Sequence, residues 1–494
     1  MKLQYSITFI TLAAFSFNAT AQKSGSIFSE LSENGSAVVF TSPDGRYAGG
    51  YSSGYCHLYN EDNNGSEYYG DGVTNTYILT SVNNMGIATG AVSGEDISMS
   101  TPAYLQNGSW HELPFLTNSN IGSVSGVSAD GTKFVGWCQK GWDRIACVWE
   151  NGVVKELKIP ALDPYGAPTM GAVADQISED GKLIKGRYYL NYGDPVLAIW
   201  RNTDEECELP FIDMTFDFDN IPTLPRPEYE DYVTVEWGDP LYDEQFNLYY
   251  EAVEAYNAQL DLFEKKVKVD PSATYMSPNG KYMATTKFDG NTFENIPGRI
   301  NMEDMSLTLL DSFSDAIALS ASNTGDMTVA TPFYGSDRTP YVYLASDEIV
   351  LRMDTWLKDE YGVDIMDSNT GIPSTNYDAD PEVAGSPIMN GDGSRIHGYT
   401  YDNNWGAHNY HIKLNNPNAI VKNTHKEYSM KITDNKIFIT GTASKVEIYS
   451  ASGALVKMVN TPADVISLQD MPHGIYIVKA SFNGNSVVEK AKIQ

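Results

Sequence analysis

Basic residues are scarce in this chain. Lys and Arg number 33 against 64 Asp and Glu, a formal net charge of −31. A surface of that sign repels nucleic acid and anionic membranes, which excludes both as partners. Its ordinary role is to solvate an exported protein, although acidic loops also make calcium a candidate cofactor. Long apolar runs are missing as well. The run from Ile7 to Phe17 is too short to cross a bilayer, and no later stretch reaches the ~18 apolar residues of a membrane helix, so no transmembrane segment is expected. With Lys2 before it and Ala19-Thr20-Ala21 after it, that first run reads as a signal peptide over 1–21. The mature chain is expected to start at Gln22 and to be secreted or held on the outer cell surface.

Cysteine and histidine are also sparse. Four cysteines, Cys56, Cys138, Cys147 and Cys207, suit an oxidising compartment and allow three pairings. Cys138 and Cys147 flank one hairpin loop and are predicted to form a disulfide; Cys56 and Cys207 are left unpaired by the spacing. Of seven histidines, His397, His408 and His411 fall close together, but a separation of three puts the last two on opposite faces of a strand, against a metal trio. There is no Gly-x-Ser-x-Gly elbow, no His-Glu-x-x-His helix and no phosphate-binding glycine loop. Three acidic clusters, Asp378/Asp380/Glu382, Asp213/Asp217/Asp219 and Glu61/Asp62/Glu67/Asp71, lack the spacing of a calcium loop. No catalytic residue and no metal ligand is assigned.

What the chain does have is a repeated turn. Ser42-Pro43-Asp44-Gly45, Asn83-Asn84-Met85-Gly86, Ser128-Ala129-Asp130-Gly131, Ser178-Glu179-Asp180-Gly181, Ser277-Pro278-Asn279-Gly280, Ser322-Asn323-Thr324-Gly325 and Asn390-Gly391-Asp392-Gly393 each end in a glycine that leads into a strand. Glycine-to-glycine intervals of 41, 45, 50 and 45 residues have the length of a four-stranded propeller blade. The intervals of 99 and 68 residues hold helical segments, read as insertions at about 203–270 and 346–385. In the clearest unit, strands are expected at 133–138, 145–149 and 153–157, with 172–177 as the fourth. The fold class is therefore mainly β: a β-propeller of about seven blades over 22–416, with a decorated β-sandwich as the alternative. Trp149 and Trp200 recur at one strand position and read as blade core.

In the first insertion, Phe246, Tyr249, Val253, Tyr256, Leu260, Phe263 and Val267 form a helical stripe with acidic residues off it. The expected place for that stripe is the propeller's own surface, with a partner helix as the alternative. After Glu427, alternating strands at 437–439, 445–449, 455–458 and 475–478 give a small C-terminal β-sandwich over 427–494.

Two resemblances sharpen this. Ser128-Ala129-Asp130-Gly131, Val135-Gly136-Trp137 and Ala146-Cys147-Val148-Trp149-Glu150-Asn151-Gly152 resemble the HAF repeat of extracellular bacterial proteins. Ser178 to Gly186 with Ala198-Ile199-Trp200-Arg201-Asn202 resembles it again. The resemblance spans about 36–415, implies a propeller-like fold and brings no activity with it. Val446 to Gly453, then Met471-Pro472-His473-Gly474-Ile475-Tyr476-Ile477-Val478 and a basic ending, are similar to the C-terminal sorting domain of type IX secretion substrates, which implies an export machinery as partner. The end at Lys492-Ile493-Gln494 departs from that pattern by lacking a final basic residue.

The function expected from these observations is a non-enzymatic binding or interaction protein with a protein or glycan ligand. Trp142 at a hairpin tip, beside Arg144, is the expected ligand contact. The alternative is an extracellular propeller hydrolase or lyase acting on a polysaccharide; 64 acids offer many carboxylate pairs, but spacing alone brings none to a working separation.

Overall fold

A computed structural model describes residues 23–32, 35–52, 54–71, 76–93, 99–164, 166–191, 194–265, 267–311, 313, 315–331, 339–365, 386–401, 407–415, 429–433, 435–440, 443–450, 455–460, 465–469, 471–482 and 485–493. The signal segment and the cluster Asp378/Asp380/Glu382 lie outside them. The chain divides into two compact units, Met1–Ala419 and Ile420–Gln494.

The first unit is a seven-bladed β-propeller. Each blade is one antiparallel sheet, and in the first six the strands follow one another in sequence from one edge to the other. Blade three is representative: Gly122–Val127, Lys133–Lys140, Asp143–Glu150 and Val153–Glu156. Blade four has three strands, Ala172–Ile177, Ile184–Tyr188 and Val196–Trp200, and an isolated bridge from Ile199 to Glu208 takes the place of the fourth. The expected phase of the repeat was one strand late. Gly122–Val127 pairs with Lys133–Lys140 and opens blade three, whereas Ala172–Ile177 pairs only with Ile184–Tyr188 and opens blade four.

Blade seven closes the ring. Its strands Ile388–Met389, Arg395–Tyr401 and Ala407–Asn415 receive Ser24–Leu31 as outer strand, with all eight residues of that segment in register from Ser24–Asn415 to Leu31–His408. The two ends of the propeller sequence are thus tied by one ladder.

All seven turn glycines have positive φ, from 70° to 87°, a region that a side chain would strain. Each turn joins the first strand of a blade to the second, so all seven lie at one end of the ring. There they bond to one another in a closed cycle. Asp44 N–H donates to Asn84 Oδ1 (2.8 Å), Asn83 Nδ2 to Ser128 O (3.1 Å) and Ala129 N–H to Glu179 O (2.9 Å). Glu179 N–H donates to Pro278 O (2.8 Å), Asn279 N–H to Asn323 Oδ1 (2.9 Å), Asn323 N–H to Gly391 O (2.7 Å) and Gly391 N–H to Pro43 O (2.8 Å). Where proline has no N–H to give, at Pro43 and Pro278, the next residue donates instead and an asparagine side chain on the neighbouring turn accepts.

Trp149 and Trp200 are buried as expected, and each indole N–H is satisfied at 2.7 Å, by Pro114 O and Lys158 O respectively. The first insertion carries α1 (Ile212–Thr215), α2 (Tyr229–Tyr232) and the long α3 (Tyr242–Phe263). Only the C-terminal end of α3 meets the propeller: Phe263 is buried against Phe216 and joins the core of blade four with Leu260. Farther along, Tyr249 packs on Tyr229 and Tyr232, and Gln245 and Gln259 accept backbone N–H groups from Thr234 and Thr223. The stripe is covered mainly by its own insertion and not by the blades. In the second insertion, α4 (Met353–Tyr361) buries Met353, Trp356, Leu357 and Tyr361 against blades six and seven.

The second unit contains two antiparallel sheets that share a core of Ile437, Ile439, Val446, Ile448, Leu468, Val478 and Ile493. Tyr476 donates its hydroxyl to Pro472 O at 2.9 Å, which gives the Pro-x-Gly-x-Tyr stretch a local structural reason.

Candidate functional site

The innermost strands surround a cavity of about 340 Å³ to which all seven blades contribute. Its lining is set by one recurring irregularity. In five blades the ladder between the first and second strands skips residues: Thr80, Ser125, Asp175, the stretch 271–274 and Leu319. A bulged residue leaves the pairing and turns away from it. Thr80, Ser125, Asp175, Ser272, Thr274 and Leu319 all line the cavity. At Gly186 a Cβ would stand 2.0 Å from Val173 O, so the bulge that carries Asp175 needs a glycine opposite.

Hydroxyl and amide residues make up half of the wall, the rest is mainly apolar, and among its described residues Asp175, Lys185 and Arg187 alone are charged. Asp175 accepts from Arg187 Nη2 (2.9 Å) and Nε (3.0 Å) and from Lys185 Nζ (3.1 Å). Lys185 also donates to Pro271 O at 2.7 Å and is nearly inaccessible, while Arg187 keeps 29% of its side-chain surface open. Burial pushes the Lys185 pKa down although Asp175 pulls the other way. For Arg187 burial also opposes the charge, but the carboxylate wins and the pKa is raised. Asp175 thus accepts from three donors, and Lys185 and Arg187 flank Gly186 where Thr89 and Ala91 flank Gly90 in blade two. The arrangement can bind and orient a ligand group through the guanidinium.

Sequence reasoning missed these three residues, yet a signal was present. In six of the seven blades the residue three before the turn lines the channel: Val39, Thr80, Ser125, Asp175, Thr274 and Leu319, of which Asp175 alone is charged.

Of the two expected contacts, Trp142 is 93% exposed at the hairpin between the second and third strands of blade three. Arg144 lies with its guanidinium 4.5 Å from the ring centre of Trp137. Strand alternation places this hairpin at the end opposite the seven turns. Phe293, 76% exposed at the corresponding hairpin of blade five, shares that end, as do exposed Tyr51 and Met99 of blades one and two.

The expected disulfide is not formed: Cys138 and Cys147 are both free and buried. Cys138 stands opposite Ile145 and Cys147 opposite Gly136, so the two are diagonal neighbours rather than a facing pair. The Cys147 thiol donates to Ile145 O at 3.2 Å; the neighbouring Cys147 lowers the Cys138 pKa, while burial raises that of Cys147.

Among the described residues no three His, Cys, Asp or Glu side chains group to hold a metal ion. His408 and His411 point to opposite faces as the spacing requires. His397 and His411 meet at Nδ1–Nδ1 2.8 Å, and His397 Nε2 is 2.9 Å from Gly45 O. Since a carbonyl only accepts, His397 carries its proton on Nε2; His411 then donates from Nδ1 and leaves its Nε2 bare, 3.6 Å from Glu30. The third histidine of this buried group is His57 of blade one, bonded to Ser36 Oγ at 2.7 Å. Glu61, expected as part of an acidic loop, is tied to Arg395 and Lys413 of blade seven. Asp217 accepts from Asp219 N–H and so caps a short helical turn.

No protein-family model matches the chain, and no curated protein matches it. Solved structures similar to it include a putative TolB from Agrobacterium tumefaciens, at 14% identity and TM-score 0.34, covering 59% of this chain and 90% of that one. An oligogalacturonate lyase from Vibrio parahaemolyticus is 7% identical with TM-score 0.41, over 79% of this chain and 97% of the other. Prolyl oligopeptidase B from Galerina marginata is 11% identical with TM-score 0.40, over 92% of this chain and 56% of the other. The β-propeller class is read from the seven sheets themselves.

Proposed function

We propose that this protein is a secreted or surface-displayed binding module that receives a protein or glycan at the hairpin end of its propeller and the channel behind it. The observation that carries the reading is the state of the channel. Its charged lining offers one carboxylate, and that carboxylate is already paired with both Lys185 and Arg187. General acid–base work needs a group that can exchange a proton with substrate, commonly as one of a pair. Exposed Trp142 and Phe293 at the same end supply large, rigid contact area. The signal-like segment 1–21 and the sorting-type module support delivery outside the cell through a type IX machinery.

The test is capture of ligands on glycan and protein arrays by the mature chain, repeated with the Trp142→Ala/Phe293→Ala double variant. Capture that falls at least ten-fold while the melting temperature holds supports the reading. Capture that ignores both residues, or turnover of a captured polysaccharide by the purified protein, overturns it.

A further inference from the structure

We propose that the channel recognises the carboxylate of a small hydroxylated molecule, with Arg187 as its principal contact. This rests on the channel being a ligand site and names the chemistry it selects.

Among the charged groups around the cavity, the one carboxylate already accepts from both cations, and the guanidinium keeps donors to offer. Both oxygens of Asp175 are engaged, one by Arg187 Nη2 and the other by Arg187 Nε and Lys185 Nζ. Asp270, the next acid nearby, accepts the backbone N–H of Ser272 at 2.8 Å and is not part of the cavity wall. Arg187 uses its Nε–Nη2 edge on Asp175; among the described residues its Nη1 donates to none, and the side chain keeps 29% of its surface open. A guanidinium presents several N–H donors in a planar fork, and a carboxylate matches two of them at once. Around it, Thr80, Ser125 and Ser272 supply hydroxyls suited to a polyhydroxylated body. A cavity of about 340 Å³ lies in the range of small-molecule sites, which span roughly 300–1,000 Å³.

Asp175 is then an internal competitor. It holds the guanidinium in place and also neutralises part of its charge. Removing the two partners should therefore move affinity in opposite directions, a result that misfolding does not produce.

Isothermal calorimetry of the mature protein with glucuronate, lactate, glucose and inorganic phosphate reads this directly. Glucuronate should bind at least ten-fold more tightly than glucose and than phosphate. Arg187→Gln should weaken it about ten-fold, the scale of one charge-assisted contact, and Arg187→Lys should recover part of the loss. Asp175→Asn should tighten it several-fold. Equal binding of glucose or phosphate, weaker binding in Asp175→Asn with the melting temperature unchanged, or no binding of either carboxylate at millimolar concentration would each overturn the inference. If the carboxylates fail while capture through Trp142 and Phe293 persists, the binding-module reading survives; if capture fails as well, both fall.

Discussion

At one end of the propeller, seven turns hydrogen-bond to one another in a cycle; at the other, hairpin tips such as Trp142 and Phe293 face solvent. The same strands feed both ends, so strand chemistry does not account for the difference. The turn end repeats because each turn is an acceptor for its neighbour, and a change in one breaks two junctions. The hairpin end is freed from that reciprocity, and its residues can differ from blade to blade. Regularity here marks mutual dependence, and variation marks freedom from it.

The ring closes along the ladder between Ser24–Leu31 and Ala407–Asn415, and there the largest effect is expected. His57, His397 and His411 are buried neutral; burial holds His57 at about 4 and His411 at about 3 and puts His397 well below its usual value. The charge of Glu30 pulls His57 the other way and does not prevail. A histidine depressed in the folded state leaves the unfolded chain with more bound protons below pH 6.5. Its stabilisation is full above that pH and is lost as pH falls toward the folded value. For His57 alone that amounts to about 3 kcal/mol by pH 4. Glu61 adds a second window. Burial would raise its pKa, but hydrogen bonds from Arg395 and Lys413 bring it to about 2, so its contribution is lost as pH falls from 4.5 toward 2. Neutralising the acidic surface relieves self-repulsion and works in the opposite sense. Urea midpoints at pH 7, 5.5 and 4.5 should therefore fall steeply in the natural protein and less steeply in His57→Gln/His411→Gln. Parallel slopes would remove closure as the acid-labile joint.

Next in size is a matched pair of glycines. Gly45 at the turn end and Gly141 at the blade-three hairpin have φ of 74° and 63°. A Cβ on Gly45 would lie 2.6 Å from Arg395 Cδ and 3.0 Å from Asn390 Cβ, whereas one on Gly141 meets nothing within 4 Å. Both alanine variants carry the backbone penalty of about 1 kcal/mol, and Gly45→Ala should lose a further ~1–2 kcal/mol to crowding. Equal losses in chemical denaturation would mean that the turn cycle adds no constraint of its own. A smaller step at the same end is Asn323→Ala, which strips Asn279 N–H of its acceptor and should cost about 1 kcal/mol.

Much of this cycle was legible in the chain. The glycine spacing located seven blades because the turn needs positive φ at a fixed place. The Ser-Pro-Asp-Gly and Ser-Pro-Asn-Gly turns even announce their partners, since each is followed one repeat later by an asparagine, Asn84 or Asn323, that accepts where proline cannot lead. The strand phase was misjudged because a tight turn marks a reversal without saying which of its flanking strands begins the blade. The channel charges were overlooked for a different reason. Asp175, Lys185 and Arg187 look like ordinary strand polar residues until the bulge turns Asp175 inward, and a bulge shows only in the pairing. The histidine group mixes blade one with blade seven, 340 residues apart from His57 to His397, which no local pattern connects.

The smallest effect on stability is expected where the largest effect on binding lies. Trp142 is 93% exposed and Trp149, seven residues later on the same hairpin, is fully buried. A buried tryptophan cut to alanine typically costs ~3–5 kcal/mol, whereas an exposed one away from caps and networks stays within about 0.5 kcal/mol. Trp142→Ala should therefore leave the melting temperature where it was and still weaken ligand capture, while Trp149→Ala should lower melting and affect capture only through unfolding. If Trp142→Ala melted early, the hairpin end would be part of the scaffold after all, and its variety would need an explanation other than ligand binding.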